Sequence, residues 1–127
     1  MCGLIFFFFS GLGAFDLKRK ARQALQAIRH RGPDDEGIYL QPSVVVGHRR
    51  LSIIDLTGSH QPLADVAGRY VLAYNGEVYN YRQLRAQLAT QWDFSTSGDT
   101  EVVLAGLVTR GPDFLRQMEG MWALSLW

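Results

Sequence analysis

Six consecutive apolar residues, Leu4-Ile5-Phe6-Phe7-Phe8-Phe9, follow directly on Met1-Cys2-Gly3. The run is far too short to span a bilayer, which takes about 20 apolar residues. No basic residue precedes it, and Lys18, Arg19, Lys20 and Arg22 come after it, the wrong order for a secretory signal. It reads instead as a buried first strand, central in its sheet and apolar on both faces. A strand starting there fixes the position of the residue just before it, and Cys2 is the chain's single cysteine. If the initiator methionine is removed, Cys2 carries both a thiol and a free α-amine. The amine, with a pKa of roughly 7.7–8.0, can accept the proton of a thiol whose own pKa is about 8.5. A nucleophile and its base then share one residue. The competing reading is a small buried hydrophobe.

The 127 residues suffice for one domain, and 47% apolar residues are enough for a core. A net charge of +1 gives no footprint for nucleic acid. One cysteine excludes an internal disulfide, and His30, His48 and His60 lack the spacing of metal ligands, so no metal is expected. The expected compartment is the cytoplasm, with no membrane partner.

Along the chain, Ser10-Gly11-Leu12-Gly13 breaks the first strand, and Asp16 can cap a helix running to about Arg29. Its basic face reads as a solvated surface, with RNA contact the minor option. Strands are expected at Gly37–Leu40 and Val44–Val46, at Arg69–Tyr74 and at Trp122–Trp127. Helices are expected at Tyr81–Thr90, from Ser97-Gly98-Asp99 to Arg110, and briefly after Pro112. Strands and helices each come in adjacent pairs, which predicts an α+β fold with helices on largely antiparallel sheet. The sequence stops within the last strand, which suggests a piece of a longer domain.

Five further residues suggest chemistry. Asn75-Gly76 after an alternating strand is first a hairpin signal, and pattern alone favours a plain turn there. The other reading is an oxyanion hole, in which an Asn side-chain N–H and a Gly backbone N–H face a developing negative charge. Glu77, next in line, could hold a cationic group. Arg50 offers a planar fork for bidentate capture of a carboxylate, although a surface arginine is the commoner outcome. Asp99 before a helix is by default a first-turn acid, and otherwise a fixed anion for an ammonium group. Arg50 and Asp99 together match the two ends of an amino-acid zwitterion.

Several segments then fall in a recognisable order: Met1-Cys2-Gly3, Arg29-His30-Arg31-Gly32-Pro33-Asp34, Arg50-Leu51-Ser52-Ile53-Ile54-Asp55, Gln61-Pro62-Leu63, Asn75-Gly76-Glu77-Val78-Tyr79-Asn80, Ser97-Gly98-Asp99-Thr100-Glu101 and Gly120-Met121-Trp122-Ala123. The chain thereby resembles the N-terminal glutaminase domain of the glutamine-hydrolysing asparagine synthetases, class II glutamine amidotransferases of the N-terminal-nucleophile hydrolase type. The likeness runs nearly end to end. It implies a four-layer αββα sandwich of antiparallel sheets, of which residues 1–127 form a type-2 glutamine amidotransferase domain incomplete at its C-terminal end.

Carried over by position, the resemblance makes Cys2 the nucleophile, with its α-amine as base and then acid. Asn75 and Gly76 become the oxyanion hole. Arg50 takes the α-carboxylate of L-glutamine, and Glu77 and Asp99 its α-amine. Leu51, Ser52, Ile53 and Ile54 line the glutamine pocket with their backbone. The domain itself needs no cofactor. ATP and magnesium belong to a synthetase domain or subunit that would be its partner, where the ammonia is used on aspartate, and the full-length family can form homodimers. One departure stands out: the family usually has glycine at the position of Phe6. Two other readings remain open, an amidotransferase of the same family with another carboxylate acceptor and a truncated chain without catalysis.

Overall fold

A computed structural model describes residues 2–9, 14–51 and 60–127. The first sheet has three antiparallel strands, β1 (Gly3–Phe8), β2 (Asp35–Gln41) and β3 (Val44–Arg50), in the order β1-β3-β2. The second contains β4 (Leu63–Ala64), β5 (Val71–Val78) and β6 (Gly120–Leu126), in the order β4-β5-β6. Helix α1 (Ala14–Ala27) covers the outer face of the first sheet, with Leu17 and Ala21 packed on Val45, Ile5 and Phe7. Helices α2 (Tyr81–Leu88) and α3 (Asp99–Arg110) cover the outer face of the second, where Leu72, Tyr74 and Val78 meet Leu84, Val102, Val103 and Phe114. The two sheets meet through Val44, Val46 and Ala73, with Leu4 and Tyr39 against them. The layer order is therefore αββα. Sheet residues alternate between a helix-facing and a sheet-facing side because successive Cβ atoms of a strand point to opposite faces.

Three expectations are corrected. Among the described strands β1 lies at an edge and β3 is central, so the Phe run is not sealed on both sides; Phe6 is 39% and Phe8 66% exposed. The fully buried strand is β3, whose valines at 44, 45 and 46 face both layers. Second, α1 begins at Ala14, so Asp16 lies in its first turn and pairs with Arg19 at 3.3 Å instead of capping the helix. Third, Asn75-Gly76 is not a hairpin turn. β5 runs straight through it, with Asn75 opposite Ala123 and Gly76 opposite Trp122 on β6. The local pattern was that of a turn, but the partner strand arrives from more than 40 residues away and overrides it. The Ser10–Gly13 break falls outside the described residues.

Two buried polar residues tie together segments that the apolar core leaves separate. Glu101, on the first turn of α3, collects hydrogen bonds from five donors: the backbone N–H and hydroxyl of Ser95, the same two groups of Thr96, and the Trp92 indole. The loop before α3 is thus wrapped around one carboxylate. Burial works against the charge, but these donors outweigh it and hold the Glu101 carboxyl below its ordinary range. His48, on β3, reaches across to the second sheet, where its Nε2 lies 3.0 Å from the Tyr74 carbonyl oxygen. The carbonyl can only accept, so Nε2 carries the proton. Burial, with the Arg50 charge adding to it, lowers the His48 pKa to about 4.

Glu101→Gln keeps the shape but presents an N–H₂ group to donors already aimed at it. The substitution should lower unfolding free energy by about 2 kcal/mol, since a hydrogen bond to a charged group is worth roughly 1.5–3; an unchanged urea midpoint would contradict this account. For His48 the folded protein holds the neutral form, whereas the unfolded chain titrates near its ordinary 6.5. Its contribution is fully present above pH 6.5 and drains away as pH falls towards 4, about 3 kcal/mol in all. His48→Gln, which can still donate to the Tyr74 carbonyl, should flatten the stability profile between those two pH values, and urea titrations at pH 7 and pH 5 measure it.

Candidate active site

The site is built on the outer edge of β5. Val71 and Trp127 exchange both backbone hydrogen bonds at 2.9 Å, so they form a hydrogen-bonded pair of the antiparallel ladder. Such pairs alternate with non-bonded ones. Residues 73, 75 and 77 therefore bond to β6, while the backbone groups of 72, 74, 76 and 78 point the other way. On that side β4 is only two residues long and pairs with Val71 and Leu72. Beyond it the edge has no strand partner among the described residues, and side chains take over. The Tyr74 N–H donates to Gln61 Oε1 at 2.6 Å, and its carbonyl accepts from His48. The Val78 N–H donates to Asp99 Oδ2 at 3.0 Å. Between them lies the Gly76 N–H, which no described side chain takes. A Cβ at Gly76 would lie 2.6 Å from Trp122 Cα, so the close approach of β6 requires glycine.

Alternation also sorts the side chains. Tyr74 and Val78 belong to the core beneath α2 and α3, and Ala73 faces the first sheet. Asn75 and Glu77 share the face of Ala73, towards the sheet that carries Cys2 and Arg50. Cys2 lies at the head of β1, next to the end of β3, with Gly3 opposite Arg49. Its Sγ accepts from the Leu51 N–H at 3.3 Å, and its carbonyl accepts from Arg31 Nε at 3.2 Å. The Asp34 N–H donates to the Arg50 carbonyl at 3.0 Å, and Gly32 packs against the Arg49–Arg50 peptide so closely that a Cβ would lie 2.6 Å from the Arg50 nitrogen. The Arg29–Asp34 segment thus grips the two chain ends that deliver Cys2 and Arg50.

These groups border one cavity of about 360 Å³, lined by Cys2, Arg50, Leu51, Asn75, Gly76, Glu77 and Asp99, together with Gln61, Tyr74, Thr100, Met121, Trp122 and Ala123. The cavity brings together every sequence-selected residue except Ser52, Ile53 and Ile54, which lie outside the described residues. A thiol, an amide, an exposed backbone N–H, a guanidinium and two carboxylates around such a volume suit a small zwitterion with a reactive carbonyl. Among the described residues no cluster of His, Cys, Asp and Glu is placed to hold a metal ion, and no helix is long and apolar enough to cross a membrane.

Sequence reasoning gave no role to Gln61, Tyr74 and His48. Gln61 precedes a cis peptide bond to Pro62, and Gly37 of β2 leaves room for that turn, with Pro62 Cδ 3.0 Å from where its Cβ would be. Its signal was the Gln61-Pro62-Leu63 segment. Tyr74 donates its hydroxyl to Asp99 Oδ2 at 2.9 Å. Nothing local marks that contact, which joins a strand to a helix 25 residues later.

Comparison with known proteins places this arrangement. The family model described as a glutamine amidotransferase domain matches residues 1–127. The chain is 40% identical to asparagine synthetase B (glutamine-hydrolyzing) of Escherichia coli over 127 residues, all of this chain and 23% of that protein. It is 36% identical to asparagine synthetase (glutamine-hydrolyzing) 1 of Saccharomyces cerevisiae, again over its full length and 22% of the relative. The chain therefore spans less than a quarter of the length of these relatives. Among solved structures, glutamine phosphoribosylpyrophosphate amidotransferase from B. subtilis superposes with a TM-score of 0.56 at 29% identity, covering 69% of this chain and 22% of that one. The chain belongs to the glutamine amidotransferase domain family.

Proposed function

We propose that the domain hydrolyses L-glutamine to glutamate and ammonia, with Cys2 as an N-terminal nucleophile once Met1 is removed. The observation that carries this reading is that the untaken Gly76 N–H and the Cys2 thiol border one cavity, with Arg50 and Asp99 in its walls. Arg50 takes the α-carboxylate of glutamine in a bidentate pair, and Asp99 and Glu77 take its α-ammonium. Both ends held, the side-chain amide carbon comes within reach of Sγ.

The Cys2 α-amine accepts the thiol proton, and the thiolate attacks the amide carbon. The C–S bond forms as the carbonyl π electrons move onto oxygen. The oxyanion is met by the Gly76 N–H and the Asn75 side-chain N–H, each such donor being worth roughly 2.7–4 kcal/mol of barrier. The α-ammonium returns its proton to the nitrogen as the C–N bond breaks, and ammonia leaves. Water, deprotonated by the same amine, attacks the thioester and releases glutamate and the thiol.

The names of the relatives, glutamine-hydrolyzing asparagine synthetases, support asparagine formation as the use of the ammonia. We assign this domain to the same overall reaction, the ammonia passing to a synthetase domain or subunit that activates aspartate with ATP and magnesium in the cytoplasm. Related amidotransferases with another carboxylate acceptor would share every feature of this site.

Mass spectrometry of the purified chain should find Met1 removed, and ammonia release from glutamine should vanish in Cys2→Ala. Retention of Met1, or equal ammonia release by both chains, would sink the proposal. Asn75→Ala, which deletes one oxyanion donor, should lower kcat about 10²–10³-fold with a smaller change in KM.

A further inference from the structure

Asp99 is held more tightly than a simple counter-charge requires. It stands at the first position of α3, and both of its described hydrogen bonds fall on one oxygen. Oδ2 accepts the Val78 N–H at 3.0 Å and the Tyr74 hydroxyl at 2.9 Å. An ionised carboxylate has about four lone-pair sites, so Oδ1 retains its acceptor capacity. Tyr74 itself cannot shift to follow a ligand. Its side chain is 2% exposed, packed beneath α2 and α3, and its peptide is held on one side by Gln61 and on the other by His48. Burial, with the Asp99 charge adding to it, pushes the phenol pKa up, so the hydroxyl remains a donor at any working pH.

We infer that Tyr74 is a positioning residue for substrate selectivity: its hydroxyl anchors Asp99 Oδ2 and leaves Oδ1 presented to the cavity for the α-ammonium of the substrate. This rests on the glutaminase reading above. The same residue immediately precedes Asn75, so one rigid side chain sets the distance between the ammonium-binding end and the oxyanion end. Without the hydroxyl, Asp99 keeps only the Val78 N–H and can rotate its carboxylate. An amino-acid amide would then lose its advantage over the same amide lacking the α-amino group.

Calorimetric binding in the Cys2→Ala chain tests this with two ligands, glutamine and 4-carbamoylbutanoate, its analogue with hydrogen in place of the α-amine. Tyr74→Phe removes one oxygen atom and keeps the ring. Glutamine affinity should fall about tenfold, in line with the loss of a hydrogen bond to a charged group. Affinity for the analogue should change less than twofold, so the preference for glutamine shrinks by nearly the whole factor. Asp99→Asn should remove the same preference, and adding Tyr74→Phe to it should change the ratio no further. Equal weakening of both ligands would mean that Tyr74 is only structural. That result, or unchanged glutamine binding, overturns the inference and leaves the glutaminase reading standing. Should Tyr74→Phe not fold, retention of the preference in Asp99→Asn overturns it as well. Failure of the parent chain to bind glutamine at all removes both.

Discussion

A strand that runs past its neighbour has to dispose of its backbone polar groups, and the whole site depends on how β5 does so. β4 covers only Val71 and Leu72. From residue 74 onward the outer edge of β5 would present bare N–H and C=O groups, each costly to bury unpaired. Gln61 and His48 occupy the first of these peptides, and Asp99 the last. They come from a loop, from the other sheet and from a helix, so the edge is capped on either side of Gly76 without a further strand. A strand there would have bonded the Gly76 N–H and filled the cavity with backbone. The vacancy and the catalytic potential are thus the same fact.

The first sheet supplies the opposing wall. β3 is buried along its whole length, which makes it a rigid mount for Arg50 at its end. Cys2 has no such mount of its own, since β1 lies at an edge among the described strands. It depends instead on Leu51 and Arg31, which hold its sulfur and its carbonyl. The basic face of the first helix reads from sequence as a solvated surface, but Arg31 and Arg49, which follow it, have partners. Arg31 spends its guanidinium on the N-terminal chain, and Arg49 pairs with Glu36 at 2.5 Å while donating to the Leu25 carbonyl at 3.2 Å. Charge near the site is therefore mostly structural glue between segments distant in sequence.

How much of this was legible depended on range. Elements such as α3, with its start and stop residues, and β3, with its run of valines, were readable because their signals are local. The α+β class followed from the order of those elements. Cys2, Arg50, Asn75, Glu77 and Asp99 could be singled out by chemistry, but only the family motifs set them in one pocket; spacing alone could not. Asn75-Gly76 was misread by pattern because a turn dipeptide and a close strand approach both need glycine, for different reasons. The roles of His48, Gln61 and Tyr74 were hidden for another cause, although Gln61 stands in a recognised segment. Each acts through a contact between separate elements, and no short-range rule distinguishes a buried tyrosine that fills space from one that aims a carboxylate.

The alternation of β5 has one more consequence, for how such a domain can diversify. Its three directions carry three separate tasks: the face towards the first sheet bears Asn75 and Glu77, the face beneath the helices bears Tyr74, and the edge bears the Gly76 N–H. A change at residue 74 meets Asp99 of α3 first, and through the backbone it shares with Asn75 it also reaches the oxyanion end. Neighbouring residues of one strand thus divide the tasks among three directions while one backbone keeps those tasks in step.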